Sequence, residues 1–267
     1  PPGLPKTLTL PRTTLWHNLE TSAARYPDKV AYWFYGGSLT YAQLKREAEA
    51  LAGYLQQACG VKRGDRVVLY AQNCPQFVIA YYATLRADGV VVPANPMVKT
   101  DEFAHYVEDS GGRVAVVMQE LLPYAEPLLG KSLDRIVVGA YSDYIDPATD
   151  LAVPDFVRAP AVVPSRGELV AWKAALVAGH APGPHTATDV DLACLPYTSG
   201  TTGKPKGCLL THRNIMATSV GSSAWGGFTC EAVGLGVLPM FHLTGMQSSM
   251  NNAIWLGAST VLLARWD

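Results

Sequence analysis

Between Tyr197 and Gly207 the chain reads Tyr-Thr-Ser-Gly-Thr-Thr-Gly-Lys-Pro-Lys-Gly, with four aliphatic hydroxyls, three glycines and two lysines in eleven residues. Glycines expose backbone N–H groups and allow positive φ, so such a loop can wrap closely round an anion. Hydroxyls add donors or reach a metal ion, and Lys204 and Lys206 supply positive charge. The composition suits a polyphosphate. A surface turn or linker can be as rich in Ser, Thr and Gly. A linker, however, rarely carries a proline locked between two lysines with apolar runs on either side. The Walker A loop, G-x-x-x-x-G-K-[ST], fails on spacing: only two residues separate Gly200 from Gly203, and Pro205 stands where a magnesium-binding hydroxyl belongs.

A second constellation, Leu238-Pro239-Met240-Phe241-His242, closes an apolar strand-like run. A lone histidine in that place is more often a cap or a hydrogen-bonded core residue than a catalyst. Gly245, Met246, Ser249 and Met250 follow at helical spacing, able to line a pocket or simply to fill core. His212 and Asn214 are explained by capping a helix that begins at Asn214. There is no G-x-S-x-G elbow and no H-E-x-x-H, and Gly234-Leu235-Gly236 lacks the third glycine of a dinucleotide fingerprint. No residue is assigned as a metal ligand.

Four stretches in chain order carry a family resemblance. Leu39-Thr40-Tyr41-Ala42-Gln43-Leu44, the run Leu85 to Pro93 followed by Asn95-Pro96, the Tyr197–Gly207 string and Pro239 to His242 resemble elements of one superfamily. They look like the "LTYxEL", "LKAGAxxVPxxP", phosphate-loop and "PxFH" elements of the adenylate-forming (AMP-binding) superfamily. The resemblance spans nearly the whole chain and is nearest to fatty acyl-CoA synthetases (long- or medium-chain fatty-acid-CoA ligases). Aryl-CoA ligases stand close behind. Peptide-synthetase adenylation domains fit less well, because no aspartate lies between His242 and Asp267.

The resemblance implies an acid-thiol ligase that converts a small carboxylic acid and ATP to an acyl adenylate and then, with coenzyme A, to a thioester. It implies that Thr198, Ser199, Thr201 and Thr202 donate to the phosphates, with backbone N–H groups around Gly200 and Gly203. Lys206 matches the family's fixed lysine and Lys204 its variable position; Mg2+ would bridge the phosphates. His242 is implied as the catalytic residue near the acyl carboxylate, with Phe241, Gly245 and Met246 in the substrate pocket. The family's adenine-binding "YGxTE" element, ribose-binding aspartate and small C-terminal domain with its lysine find no counterpart here. Residues 1–267 are therefore expected to be an incomplete N-terminal adenylate-forming domain, inactive by itself. A non-catalytic nucleotide-binding module and a P-loop kinase or ATPase remain the alternatives.

Composition narrows the class further. With 267 residues, 49% apolar content and a net charge of -1, the chain can bury a sizeable core and has no basic surplus for nucleic acid. Five cysteines (59, 74, 194, 208 and 230) without C-x-x-C spacing argue against a disulfide framework and favour a reducing, cytoplasmic setting, with peripheral membrane contact or a homodimer left open. No apolar run approaches the roughly 18 residues of a membrane span.

The elements that must hold these residues alternate. Helices are expected over 14–25, from a Thr40 cap through Leu44, Ala48, Leu51 and Leu55 until Gly60, and over 75–87, 101–110 and 121–129. Ser165 to Glu168 reads as a capping box opening a helix over 168–178, and further helices are expected over 214–225 and 244–256. Strands are expected over 30–35, 38–41, 66–70, 90–93, 114–118, 135–138, 192–197, 208–211, 233–238 and 259–263. Residues 139–164 read as a proline-rich irregular excursion. Short all-apolar strands alternating with helices predict an α/β fold of paired, mostly parallel sheets with helices on both faces. Both candidate constellations then fall at the carboxyl ends of strands, where such sheets bind ligands.

Overall fold

The computed structural model describes Gly3, residues 6–198 and residues 203–265. Helix α1 (Leu15–Arg25) precedes a hairpin, β1 (Val30–Phe34) and β2 (Gly37–Thr40), whose turn places Tyr35 and Gly36 at positive φ. Thr40 then caps α2 (Tyr41–Gln57) by accepting from the Gln43 N–H, while Gln43 Oε1 accepts from the Thr40 N–H. That reciprocal box satisfies two of the helix's orphan donors. Alternation follows: β3 (Arg66–Tyr70), α3 (Pro75–Arg86), β4 (Val90–Ala94), α4 (Thr100–Ser110) and β5 (Val114–Met118). After β5, Pro123 and Pro127 break the expected 121–129 helix into 3-10 turns around a short α5 (Leu122–Ala125), because each proline removes a helical donor.

Strand β6 (Arg135–Gly139) leads into a stretch with only a 3-10 turn at Tyr141–Asp143 and the short α6 (Asp155–Arg158). The capping-box reading at Ser165 is corrected here. Residues Leu169–Ala171 form β7, parallel to β6, and the helix is the short α7 (Trp172–Val177). Sheet pairing prevailed because Ile136 N–H donates to Glu168 O and Leu169 becomes buried. The remainder comprises β8 (Leu192–Cys194), β9 (Tyr197–Thr198), β10 (Lys206–Gly207), β11 (Leu210–Thr211), α8 (His212–Gly226) and β12 (Val233–Gly236). Then come α9 (Leu243–Gly245), a π turn (Met246–Asn251), α10 (Asn252–Leu256) and β13 (Ser259–Leu262).

Seven strands form one sheet in the order β11-β8-β4-β3-β5-β6-β7, all parallel except β11 against β8. Four form a second, β12-β13-β1-β2, parallel but for the hairpin strand β2. Alternation within β3 shows why the larger sheet is covered on both faces: Val67 and Leu69 join one apolar cluster, Val68 and Tyr70 the other. Among the described residues no helix is long and apolar enough to cross a membrane.

Candidate active site

The phosphate-loop string springs from the edge of the large sheet. Val91 O accepts from Leu195 N–H at 2.8 Å, carrying the β4–β8 pairing one residue past Cys194. Pro196 then ends the strand, and β9 turns against β10 with Tyr197 opposite Gly207 and Thr198 opposite Lys206. Helix α4 grips the base of this hairpin on both sides. Tyr197 packs on Tyr106 (ring centroids 4.6 Å apart) and its hydroxyl donates to Asp109 Oδ2 at 2.6 Å, while His105 Nε2–H donates to Pro205 O at 2.7 Å. Burial and the adjacent Asp109 carboxylate hold the Tyr197 phenol protonated well above its ordinary range. Thr198, Gly203, Lys204 and Lys206 are exposed on this hairpin. Ser199, Gly200, Thr201 and Thr202 lie outside the described residues.

The Phe241-His242 segment is set by one side chain that no motif singles out. Asn73, at the carboxyl end of β3 and 3% exposed, donates from Nδ2 to Gly236 O (3.3 Å) and Leu238 O (3.0 Å), and its Oδ1 accepts from Met240 N–H (2.7 Å). Those bonds fold residues 236–240 back over the sheet end. Gly245 is required by the same turn: a Cβ there would sit 2.3 Å from Pro239 O and 2.5 Å from Leu238 O. His242 caps α9 by accepting the Thr244 N–H at Nδ1 (3.3 Å), and its imidazole remains exposed. An acceptor Nδ1 leaves the proton of the neutral ring on Nε2.

Between these two segments lies a cavity of about 790 Å3. Asn95, Tyr197 and Thr198 line it together with Phe241 and His242. Residues of both constellations named from the sequence thus line one cavity. Gly245 and Met246, expected either to line a pocket or to fill core, are not among the lining residues: both are buried, Met246 fully, with its Sδ 3.9 Å from Cys194 Sγ. Gln247, Ser248 and Asn252 line the cavity instead. The π turn over 246–251 accounts for the shift, since the wider turn rotates the following residues away from the faces that a 3.6-residue period assigns.

His212 and Asn214 have structural partners. Thr211, not Asn214, is the N-cap of α8, and Asn214 completes a reciprocal capping box from the third position. His212 is 1% exposed and its Nδ1 accepts the Leu15 N–H at 3.2 Å. Burial first, and His185 nearby second, push its pKa down to about 4.

Over residues 19–267 the sequence matches the AMP-binding enzyme family. The chain belongs to that family. Among curated AMP-binding relatives, a long-chain-fatty-acid–CoA ligase of Bacillus subtilis (strain 168) is 35% identical, the match covering 100% of this chain and 49% of the relative. The chain spans about half the length of the curated relatives it matches. Two solved structures share the fold. A long-chain-fatty-acid-CoA ligase from Archaeoglobus fulgidus has a TM-score of 0.78 at 24% identity, covering 99% of this chain and 50% of that one. An anthranilate CoA ligase in complex with anthranoyl-AMP has a TM-score of 0.79 at 23% identity, covering 96% and 46%.

Proposed function

We propose that this chain supplies the phosphate loop and acid-binding wall of an AMP-forming acyl-CoA synthetase whose acid is a fatty acid. The observation that carries this reading is the cavity flanked by Thr198 of the hydroxyl-rich hairpin and by His242. A free carboxylate is a poor acyl donor because oxide is a poor leaving group. One carboxylate oxygen attacks the α-phosphorus of ATP; the new P–O bond forms as the α–β bridging bond breaks, and pyrophosphate leaves with the electron pair. A thiolate of coenzyme A then attacks the acyl carbon and AMP departs.

The protein's part is to position two anions and to offset charge as it moves. Thr198, Ser199, Thr201 and Thr202, with the backbone around Gly200 and Gly203, would donate to the β- and γ-phosphates, and Lys206 would sit against the transferring charge with Lys204 contributing less. His242, its Nε2–H turned outward by the Nδ1 cap bond, would donate to the acid's carboxylate beside Phe241. Among the described residues no carboxylate lines the cavity, so the donor set suits a Mg2+ held chiefly by phosphate oxygens and water rather than by protein. Bound there, the ion would neutralise phosphate charge. All five cysteines are unpaired, which supports a reducing compartment such as the cytoplasm.

The test is exchange of labelled pyrophosphate into ATP by the protein at its natural length. Exchange dependent on an added carboxylic acid, with AMP released on adding coenzyme A, is expected. ADP as product would favour a kinase or ATPase, and nucleotide binding without exchange would favour a non-catalytic module.

A further inference from the structure

The hairpin that carries the phosphate-loop string cannot hold its own place. Among the described residues β9 and β10 form a sheet of their own, two residue pairs long. A two-stranded hairpin standing alone is marginal in water. Helix α4 supplies the anchorage, and it is itself seated on the large sheet. Phe103, fully buried, stacks on Tyr70 of β3 with ring centroids 4.2 Å apart, and the Tyr70 hydroxyl donates to Val98 O just before the helix. From this base two side chains reach the hairpin, His105 and Asp109, whose spacing puts them on one helix face. Asp109 Oδ2 accepts from the Tyr197 hydroxyl on β9 at 2.6 Å. His105 Nε2–H donates at 2.7 Å to Pro205 O, the carbonyl between Lys204 and Lys206 at the foot of β10. The His105 ring also stands edge-on to Tyr197, centroids 5.9 Å apart. Each strand of the hairpin is therefore tied to α4 by one hydrogen bond.

We propose that His105 and Asp109 are positioning residues for the nucleotide, holding both strands of the phosphate hairpin in place for ATP without touching it. This role rests on the ATP-using reading above and goes beyond it, because it extends the phosphate site to a helix outside the loop motif. Neither residue lines the cavity. Fixing both ends of a loop beforehand lowers the entropy that its ligand must remove. Such preorganisation favours every nucleotide-bound state alike, so it shows in the KM for ATP and leaves kcat and the KM for the acid where they were.

The test is acid-dependent pyrophosphate exchange by the natural-length protein at varied ATP, with two substitutions that divide the functions of one side chain. His105→Phe keeps a ring against Tyr197 and removes the donor; His105→Gln keeps an N–H donor and removes the ring. His105→Phe is expected to raise the KM for ATP roughly three- to tenfold, the worth of one hydrogen bond, with kcat and the KM for the acid unchanged. His105→Gln is expected to stay within about twofold of wild type. Asp109→Ala, which frees the other strand, is expected to raise the KM for ATP as His105→Phe does. Amide hydrogen exchange over residues 203–208 in the nucleotide-free protein gives a readout that needs no catalysis, and it should quicken in His105→Phe but not in His105→Gln. An unchanged KM for ATP in His105→Phe and Asp109→Ala would overturn the proposal. So would equal defects in His105→Phe and His105→Gln, since the donor would then not be what matters. A KM for the acid that rises as much as that for ATP would mark general loosening of the fold and overturn it too. Absence of exchange by the wild-type protein with every acid would overturn the acid-activating reading instead, and the hairpin amides would still decide whether α4 holds the loop.

Discussion

Lys204 and Lys206 are two residues apart and both exposed, yet the fold holds them differently. Lys206 is on β10, its backbone paired with Thr198, so its Cα has a fixed place beside the loop's first hydroxyl. Lys204 belongs to the bend before Pro205, outside any ladder. A charge whose backbone is already placed loses less entropy when it meets a developing anion, and an oriented donor in a transition state is worth ~2.7–4 kcal/mol, or 10²–10³ in rate. Lys206→Ala is therefore expected to lower pyrophosphate exchange by about that factor and Lys204→Ala by much less. Equal losses for the two would remove Lys206 from its assigned role. Gly245 gives a second expectation at this scale. Any Cβ meets two backbone carbonyl oxygens that cannot rotate away, so Gly245→Ala should cost roughly 1–3 kcal/mol in urea unfolding and displace the Phe241-His242 turn. A stability within a few tenths of wild type would show that turn to be free to shift.

At the scale of elements, the Asn73 clamp ties the end of β3 to the chain leaving β12, and so joins the two sheets at the cavity. Asn73→Leu keeps the volume but strands two carbonyls and one N–H; each unmet buried group costs about 1–3 kcal/mol. We expect a loss of at least 2 kcal/mol and a raised KM for the acid, measured together; a stability loss with an unchanged KM would show the clamp to be structural only. No pattern in the sequence marks Asn73, because its partners are backbone groups more than 160 residues away. By contrast, β3 and β5 match their expected bounds, since a parallel strand buried on both faces writes itself as an unbroken apolar run. Thr40 was legible as a cap from purely local spacing, and the structure adds the reciprocal bond from Gln43. The 121–129 and 168–178 helices were misread where prolines and a sheet edge outweighed helical periodicity. The site was legible to the same extent. Thr198, Phe241 and His242 were placed by motif, whereas Gln247 and Asn252 became visible only once the π turn broke the expected period.

Across the whole molecule, distant parts of the chain meet in a buried polar seam that should make stability depend on pH. Leu15 N–H, opening α1, donates to His212 Nδ1 on α8, and Thr14 Oγ1 lies 2.9 Å from His185 Nε2. His185 Nδ1 in turn lies 2.6 Å from Asp88 Oδ1. Asp88 holds a left-handed φ of 59 and accepts from Thr186 N–H and Ala187 N–H. Burial opposes ionisation of Asp88, but the Thr186 and Ala187 bonds and His185 outweigh it and lower its pKa. That stabilisation is present above the ordinary carboxylate range and is lost as pH falls through the depressed value. Burial lowers the pKa of His185 despite the neighbouring Asp88, and lowers that of His212 to about 4. In the window from 6.5 down to about 4 the unfolded chain therefore binds a proton at position 212 that the native state refuses, and the native state loses ground as pH falls. For His212 alone the loss is on the order of 3 kcal/mol across that window. Urea unfolding of the chain between pH 7 and pH 4.5 should show a steep fall, and His212→Gln, which keeps an acceptor for Leu15 without a proton to gain, should flatten it while costing some stability at pH 7. Parallel pH profiles for the two proteins would mean that His212 does not carry the acid sensitivity.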